Sequence, residues 1–182
     1  MKIQSSVFEF VGEQTSLDEA LACLSAAEKI AVDTEADSRH RYPEKVCLIQ
    51  LSDGEHTYVI DTLAALDYSG LDAVFADETV CKVLHGADFD IRGINRDFGF
   101  GFAHCYDTSI AARFAGFERL GLAALLEEIL GVSIPKDQRL QRADWSRRPL
   151  ENAALDYAAT DVIHLVALRD ALDERLSVLG RD

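Results

Sequence analysis

Apolar and polar positions change period along this chain, dividing it into a strand-rich front, an alternating middle and a helical last third. Residues 7–11 (Val-Phe-Glu-Phe-Val) partly alternate and read as a strand. Ser16, followed three residues later by Glu19, has the form of a capping box and predicts a helix over 16–27. Three apolar runs at 29–35, 46–51 and 56–60 predict strands, the last two joined by a hairpin at Asp53-Gly54. A helix over 71–75, a strand over 80–84, a helix over 89–97, a strand over 104–106 and a helix over 108–115 follow. The last third predicts a helix over 122–130 ended by Gly131, and an amphipathic helix over 150–179 with a break near Thr160. An antiparallel meander followed by alternating strands and helices implies an α/β fold, a mixed sheet covered by helices.

Composition narrows this picture. With 182 residues, 48% of them hydrophobic, the chain fits a single domain with a substantial core. Cys23, Cys47, Cys81 and Cys105 lie far apart without a Cys-x-x-Cys pair, so they read as buried free thiols of a reducing compartment, not as a zinc site or disulfide frame. No stretch approaches the roughly 18 apolar residues of a membrane span, so a soluble, cytoplasmic protein without a membrane partner is expected. The net charge of −14 argues against tight, nonspecific binding of long duplexes. One basic cluster runs against it: Lys136, Arg139, Arg142, Arg147 and Arg148. They fall in the segment 131–149, which also holds Trp145 and is a candidate substrate-facing element.

The candidate chemistry lies in three separated segments. Asp33 and Glu35 alternate at the end of an apolar strand and therefore share a face. Asp90 falls just inside the first turn of a helix, where the helix dipole favours an acid even without a ligand. Tyr157 and Asp161 are four apart in a helical pattern and also share a face. Two hard divalent cations roughly 3.5–4 Å apart need oxygen ligands from several directions, and acids from a strand and two helices would supply them. Each fragment alone is weak: Asp53-Gly54-Glu55 and Tyr68 with Asp72 repeat the same spacings as ordinary turn and cap residues.

The ordered series resembles the ribonuclease D-like branch of the DEDD exonucleases, of the tyrosine type. Asp33-Thr34-Glu35 followed by Cys47-Leu48-Ile49-Gln50-Leu51 is similar to that family's first motif and next strand. His85-Gly86-Ala87 before Asp90 resembles the second motif, and Tyr106-Asp107-Thr108 the segment after it. Asp144-Trp145 and Arg148-Pro149-Leu150 resemble the approach to the third motif, Tyr157-x-x-x-Asp161. Histidine-type relatives carry a histidine five residues before the last aspartate, where this chain has Asp156.

The resemblance implies a ribonuclease H-like fold and a 3′ to 5′ exonuclease acting on single-stranded RNA or short oligoribonucleotides, releasing nucleoside 5′-monophosphates. Asp33, Glu35, Asp90 and Asp161 would hold two cations, Mg²⁺ or Mn²⁺, and Tyr157 would orient the attacking water. His85, Arg39, His40, Tyr42, Lys136 and Arg148 are candidate substrate contacts; Arg39 to Tyr42 form a basic, partly aromatic loop suited to stacking or phosphate pairing. His85 reads equally as a turn residue, and Gln50 reads as a sheet residue. Ribonuclease D-like proteins usually carry helical nucleic-acid-binding domains after the catalytic one, whereas this chain stops about 20 residues past Asp161. A single catalytic domain over 1–182 is therefore expected, gripping substrate by itself or as a homo-oligomer. A DNA exonuclease of the repair or proofreading type shares the metal chemistry and stays open. A silent nucleic-acid-binding module is disfavoured by the complete set of five residues.

Overall fold

The computed structural model describes residues 8–134 and 137–181, so Lys136 lies outside the described residues. Six strands form one sheet in the order β1-β4-β3-β2-β5-β6. These are β1 (Glu9–Val11), β2 (Lys29–Ala36), β3 (Val46–Ser52), β4 (Thr57–Asp61), β5 (Cys81–Leu84) and β6 (Cys105–Asp107). β2, β3 and β4 are the expected antiparallel meander, with Asp33 opposite Gln50 and Glu35 opposite Leu48. β5 pairs parallel to β2, β6 to β5, and β1 to the far side of β4. The sheet is therefore mixed, and β2 sits where the antiparallel half meets the parallel half.

Helices cover both faces. The first layer comprises α1 (Gln14–Leu24), α2 (Ser69–Ala76) and α3 (Asp88–Phe98). Leu17, Leu24, Leu71, Phe75 and Ile94 meet Ile30, Val32, Ile49, Leu51 and Ile60 there. The other layer holds α4 (Thr108–Phe114), α5 (Leu122–Leu125), α6 (Asn152–Ile163) and α7 (Leu165–Leu179). Covered from both sides, all seven residues of β3 are buried, and burial of a large apolar side chain contributes about 1.5–3 kcal/mol. Among the described residues, no helix is long and apolar enough to cross a membrane.

Several expectations are corrected. Ser16 caps nothing: α1 has already begun at Gln14, and the Ser16 hydroxyl donates back to the Glu13 carbonyl at 2.9 Å. The C-terminal helical stretch breaks at His164, four residues past Thr160, whose hydroxyl donates to the Asp156 carbonyl inside α6. Helix 122–130 is one turn of α5 followed by a π turn, Leu126–Leu130, and it does end at Gly131 in the left-handed conformation. The cysteines are not uniformly buried: Cys47 and Cys81 are, whereas Cys23 is half-buried and Cys105 exposed. The hairpin at Asp53 is as expected, with its Oδ1 accepting from the backbone N–H groups of Glu55 and His56 and Gly54 at φ +96°.

Candidate active site

Strand alternation turns Asp33 and Glu35 toward the α6 side of the sheet, and α6 packs against β2, β3 and β4. Ala154, Ala158 and Ala159 are the buried small residues that let α6 approach closely. Asp161, seven residues on from Ala154, meets the two strand acids, so that Asp33, Glu35 and Asp161 offer carboxylate oxygens all within 4.8 Å of one another. Asp90 arrives from the other helical layer. Thr34 points away from Asp33 and Glu35, and its hydroxyl donates to Asp90 Oδ1 at 2.5 Å, tying the first turn of α3 to β2.

The four carboxylates are withdrawn from water and crowd one another. Burial, with Asp90, Asp161 and Glu35 beside it, raises the Asp33 carboxyl well above the ordinary aspartate value. Burial followed by Asp161 and Asp90 pushes Glu35 up to about 9. Burial raises Asp90 and Asp161 each to about 6, against the hydrogen bond from Thr34 in the first case and with the help of Asp90 in the second. Among the described residues no Lys, Arg or His side chain forms an ion pair with any of the four. Converging oxygen donors without a protein counter-charge fit hard divalent cations.

Tyr157, four residues before Asp161, stacks on Trp145 at a centroid distance of 6.3 Å and an interplanar angle of 28°. Burial and then Asp161, Glu35 and Asp33 push its phenol above its usual value, so it stays protonated. Trp145 is itself 1% exposed and therefore a core anchor for segment 137–149, not a substrate-facing ring. Two adjoining hollows of about 280 and 350 Å³ share Ile134, Asp137, Tyr157 and Asp161, giving the cluster a cleft at its side.

The remaining candidates fall into distinct surroundings. Arg148 turns inward: it donates to both carboxylate oxygens of Asp61, at 2.7 and 2.5 Å, and to the carbonyls of Trp145, Arg147 and Cys47. Those bonds occupy its donors in bracing segment 145–148 against β3 and β4. Arg139 is paired with Asp137, so the basic cluster is partly neutralised from within. The loop after β2 docks on this same segment, His40 Nε2 lying 3.1 Å from the Arg142 carbonyl and Arg41 donating to the Ser146 hydroxyl at 3.2 Å. Arg39 is exposed, and Tyr42 is fully exposed beside a cis Tyr42-Pro43 bond.

His85 is half-buried, and burial lowers its proton affinity despite Asp107 and the Leu120 backbone. Its Nδ1 lies 2.9 Å from the Thr108 hydroxyl, which donates its own proton to the Leu84 carbonyl. The His85 Nδ1 is thus the donor of that pair. The turn entering α3 is held instead by Asp107, whose carboxylate accepts from the N–H groups of Gly86, Ala87 and Ser109 and from the Ser109 hydroxyl. Gln50, opposite Asp33, is fully buried with neither side-chain amide atom hydrogen-bonded.

Thr34 and Asp107 are the positioning residues that motif reasoning passes over. Both left a signal: Thr34 alternates to the opposite face from the two acids, and Asp107 precedes Ser109 at a strand-to-helix junction in the manner of an N-cap.

Comparison with known proteins agrees with this arrangement. The model of the family described as 3′-5′ exonuclease matches residues 8–177. Protein RRP6-like 3 of Arabidopsis thaliana is 36% identical over 179 residues, which are 98% of this chain and 20% of that protein. The crystal structure of Escherichia coli RNase D, an exoribonuclease involved in structured RNA processing, superposes with a TM-score of 0.86 at 32% identity. It covers 95% of this chain and 46% of the E. coli chain. Brucella melitensis NrnC, known also bound to pGG and with Mg²⁺, gives 0.75 at 30% identity over 85% of this chain and 76% of its own. The chain thus spans about a fifth of the length of the RRP6-like relative.

Proposed function

Because the chain belongs to the 3′-5′ exonuclease family, we propose that it hydrolyses phosphodiester bonds from the 3′ end of single-stranded RNA, short oligoribonucleotides included. The observation that carries this reading is the convergence of Asp33, Glu35 and Asp161 within 4.8 Å, without a cationic partner among the described residues. Asp90 is tied to the same strand through Thr34.

Asp33, Glu35 and Asp161 would hold one divalent cation, and Asp33 with Asp90 a second, Mg²⁺ or Mn²⁺ by their oxygen-only donors. When bound, such ions polarise the scissile phosphate and make water a better nucleophile at neutral pH. Tyr157, kept neutral by burial and by the acids around it, donates a hydrogen bond that orients the nucleophile and is not itself the base. Thr34 fixes the Asp90 carboxylate. Asp107 fixes the turn from which α3 delivers it. His85 is a neutral donor or acceptor for the terminal sugar or phosphate, and the cleft beside Tyr157 takes the terminal nucleoside.

Exposed Tyr42 supplies a stacking surface, and exposed Arg39 charge, for the preceding nucleotides. RNA is favoured over DNA because the relatives are RNase D and RRP6-like proteins. Short oligonucleotides are favoured by the net charge of −14 and by the likeness to an NrnC known bound to pGG. Buried free thiols at Cys47 and Cys81 fit a reducing, cytoplasmic setting.

The test is a degradation series on 5′-labelled RNA and DNA of matched sequence, from dinucleotides to about 25 nucleotides, with Mg²⁺ or Mn²⁺. Stepwise shortening from the 3′ end, faster on RNA and abolished in Asp33→Ala and Asp161→Asn, is expected. Equal or faster DNA turnover removes the RNA assignment, and undiminished activity of either variant removes the catalytic one.

A further inference from the structure

A second convergence of ligand-type side chains lies away from the acid cluster, at the opposite end of the β2–β3 ladder. There the last turn of α1 meets the β3–β4 hairpin. Cys23 Sγ is 3.5 Å from Asp53 Oδ2 and 3.6 Å from His56 Nδ1, and His56 Nδ1 is 3.1 Å from Asp53 Oδ2. Three different ligand atoms, one sulfur, one nitrogen and one oxygen, therefore lie within 3.6 Å of one another.

The hairpin itself creates this arrangement. Asp53 uses Oδ1 for the backbone N–H groups of Glu55 and His56, which leaves Oδ2 turned toward Cys23. Gly54, with φ +96°, permits the tight turn that brings the His56 ring back over Asp53. The Asp53 side chain is 13% exposed and that of His56 57%, so one side of the triangle faces solvent.

We infer that Cys23, Asp53 and His56 form a binding site for a transition-metal ion of the zinc type, with its fourth position open to water. A tetrahedral ion holds nitrogen and oxygen ligands at about 2.0–2.1 Å and a thiolate at about 2.3 Å, which separates the ligand atoms by about 3.3–3.6 Å. The separations of 3.5 and 3.6 Å fall in that range, and the one of 3.1 Å just below it, before any ion is added. A mixed thiolate, imidazole and carboxylate set selects zinc or cobalt over the magnesium favoured by an all-oxygen cluster. Coordination displaces the Cys23 thiol proton to solvent and takes His56 as the neutral tautomer with its proton on Nε2, and the bound ion clamps α1 to the hairpin. The other arrangement open to these atoms is a plain hydrogen-bonded turn, with Cys23 and His56 both donating to Asp53 Oδ2.

Cobalt separates the two. The full chain is titrated with Co²⁺ in the presence of excess Mg²⁺, and near-ultraviolet absorption from thiolate-to-cobalt charge transfer is followed. One equivalent of Co²⁺ is expected to raise that absorption and Zn²⁺ to abolish it. Cys23→Ser should remove the band, and His56→Gln, a change at an exposed side chain, should weaken binding by more than about tenfold. Asp161→Asn should leave the band in place, and Cys23→Ser should leave Mg²⁺-dependent nuclease activity in place. Zn²⁺ should also slow alkylation of Cys23, read by peptide mass, while exposed Cys105 reacts at its former rate. Absence of thiolate-to-cobalt absorption in the parent chain, its persistence in Cys23→Ser, or Zn²⁺-independent alkylation of Cys23 overturns the site.

Discussion

Thr34 and Asp90 are joined by a hydrogen bond from β2, on the face opposite Asp33 and Glu35, to an acid in the first turn of α3. Asp90 is buried, and this bond gives its carboxylate a fixed partner. With it, the fourth carboxylate is held near the other three against their mutual repulsion. Thr34→Val keeps the shape and removes the donor, so a loss of about 1 kcal/mol in stability is expected. Turnover should fall about three- to tenfold and the Mg²⁺ requirement should rise; unchanged Mg²⁺ dependence would show that Asp90 needs no such support.

Removal of divalent cations should leave the protein least stable where its acids are ionised. Asp90 and Asp161 have folded-state values near 6, above the ordinary 3.8, so the folded state holds their protons longer than the unfolded chain does. Their contribution is therefore favourable at low pH and is lost as pH rises from about 3.8 toward 6. In the presence of chelator, Tm should drop across that window. Added Mg²⁺ should recover the loss above it and do little below it, as differential scanning calorimetry at each pH will show.

Substitution of one cluster acid should separate stability from activity. Asp161→Asn removes a charge whose ionisation burial and Asp90 oppose. The expected result is a higher Tm than the parent in chelator, together with a loss of more than about 100-fold in nuclease turnover. A variant that lost stability in chelator would contradict the repulsion argument.

Tyr157→Phe tests whether the phenol orients rather than deprotonates. Its raised proton affinity keeps it neutral through the working range, so the variant should lose about tenfold in kcat with little change in KM. Above all, the shape of the pH–rate profile should be the same with and without the hydroxyl.

Arg148→Ala should weaken the fold first. The pair with Asp61 is mostly enclosed, at 27% and 12% side-chain exposure, and three carbonyls depend on the same guanidinium. Chemical denaturation should register a loss of roughly 2–3 kcal/mol. Per-molecule turnover of the folded fraction should stay near the parent's, whereas a KM effect without a stability effect would restore Arg148 as a substrate contact.

The meander and the shared face of Asp33 and Glu35 were legible because strand alternation is a local property of seven consecutive residues. The same holds for Tyr157 and Asp161 on one helix. What local pattern does not contain is the pairing of distant segments. Nothing in Arg148 announces Asp61, and nothing in the basic loop at Arg39 to Arg41 announces that it docks on residues 142–146. Charge spacing alone made both look like open binding surfaces. Trp145 misled for a related reason: a tryptophan in a long connection reads as a contact surface until its ring is found stacked against Tyr157 in the core. The capping box at Ser16 failed because Gln14 starts the helix earlier, its side-chain amide reaching Asp18 and its oxygen accepting from the Asp67 N–H.

The position of β2, hydrogen-bonded to β3 on one side and β5 on the other, bears on motion as well as on chemistry. Its amide protons reach solvent only when the whole sheet opens, so Asp33 and Thr34 should exchange with deuterium at the rate set by global unfolding. The loop over 38–45 sits outside that ladder and should exchange far sooner. Two of the acids are thus carried on the slowest part of the molecule, while the exposed Tyr42 rides on its fast edge.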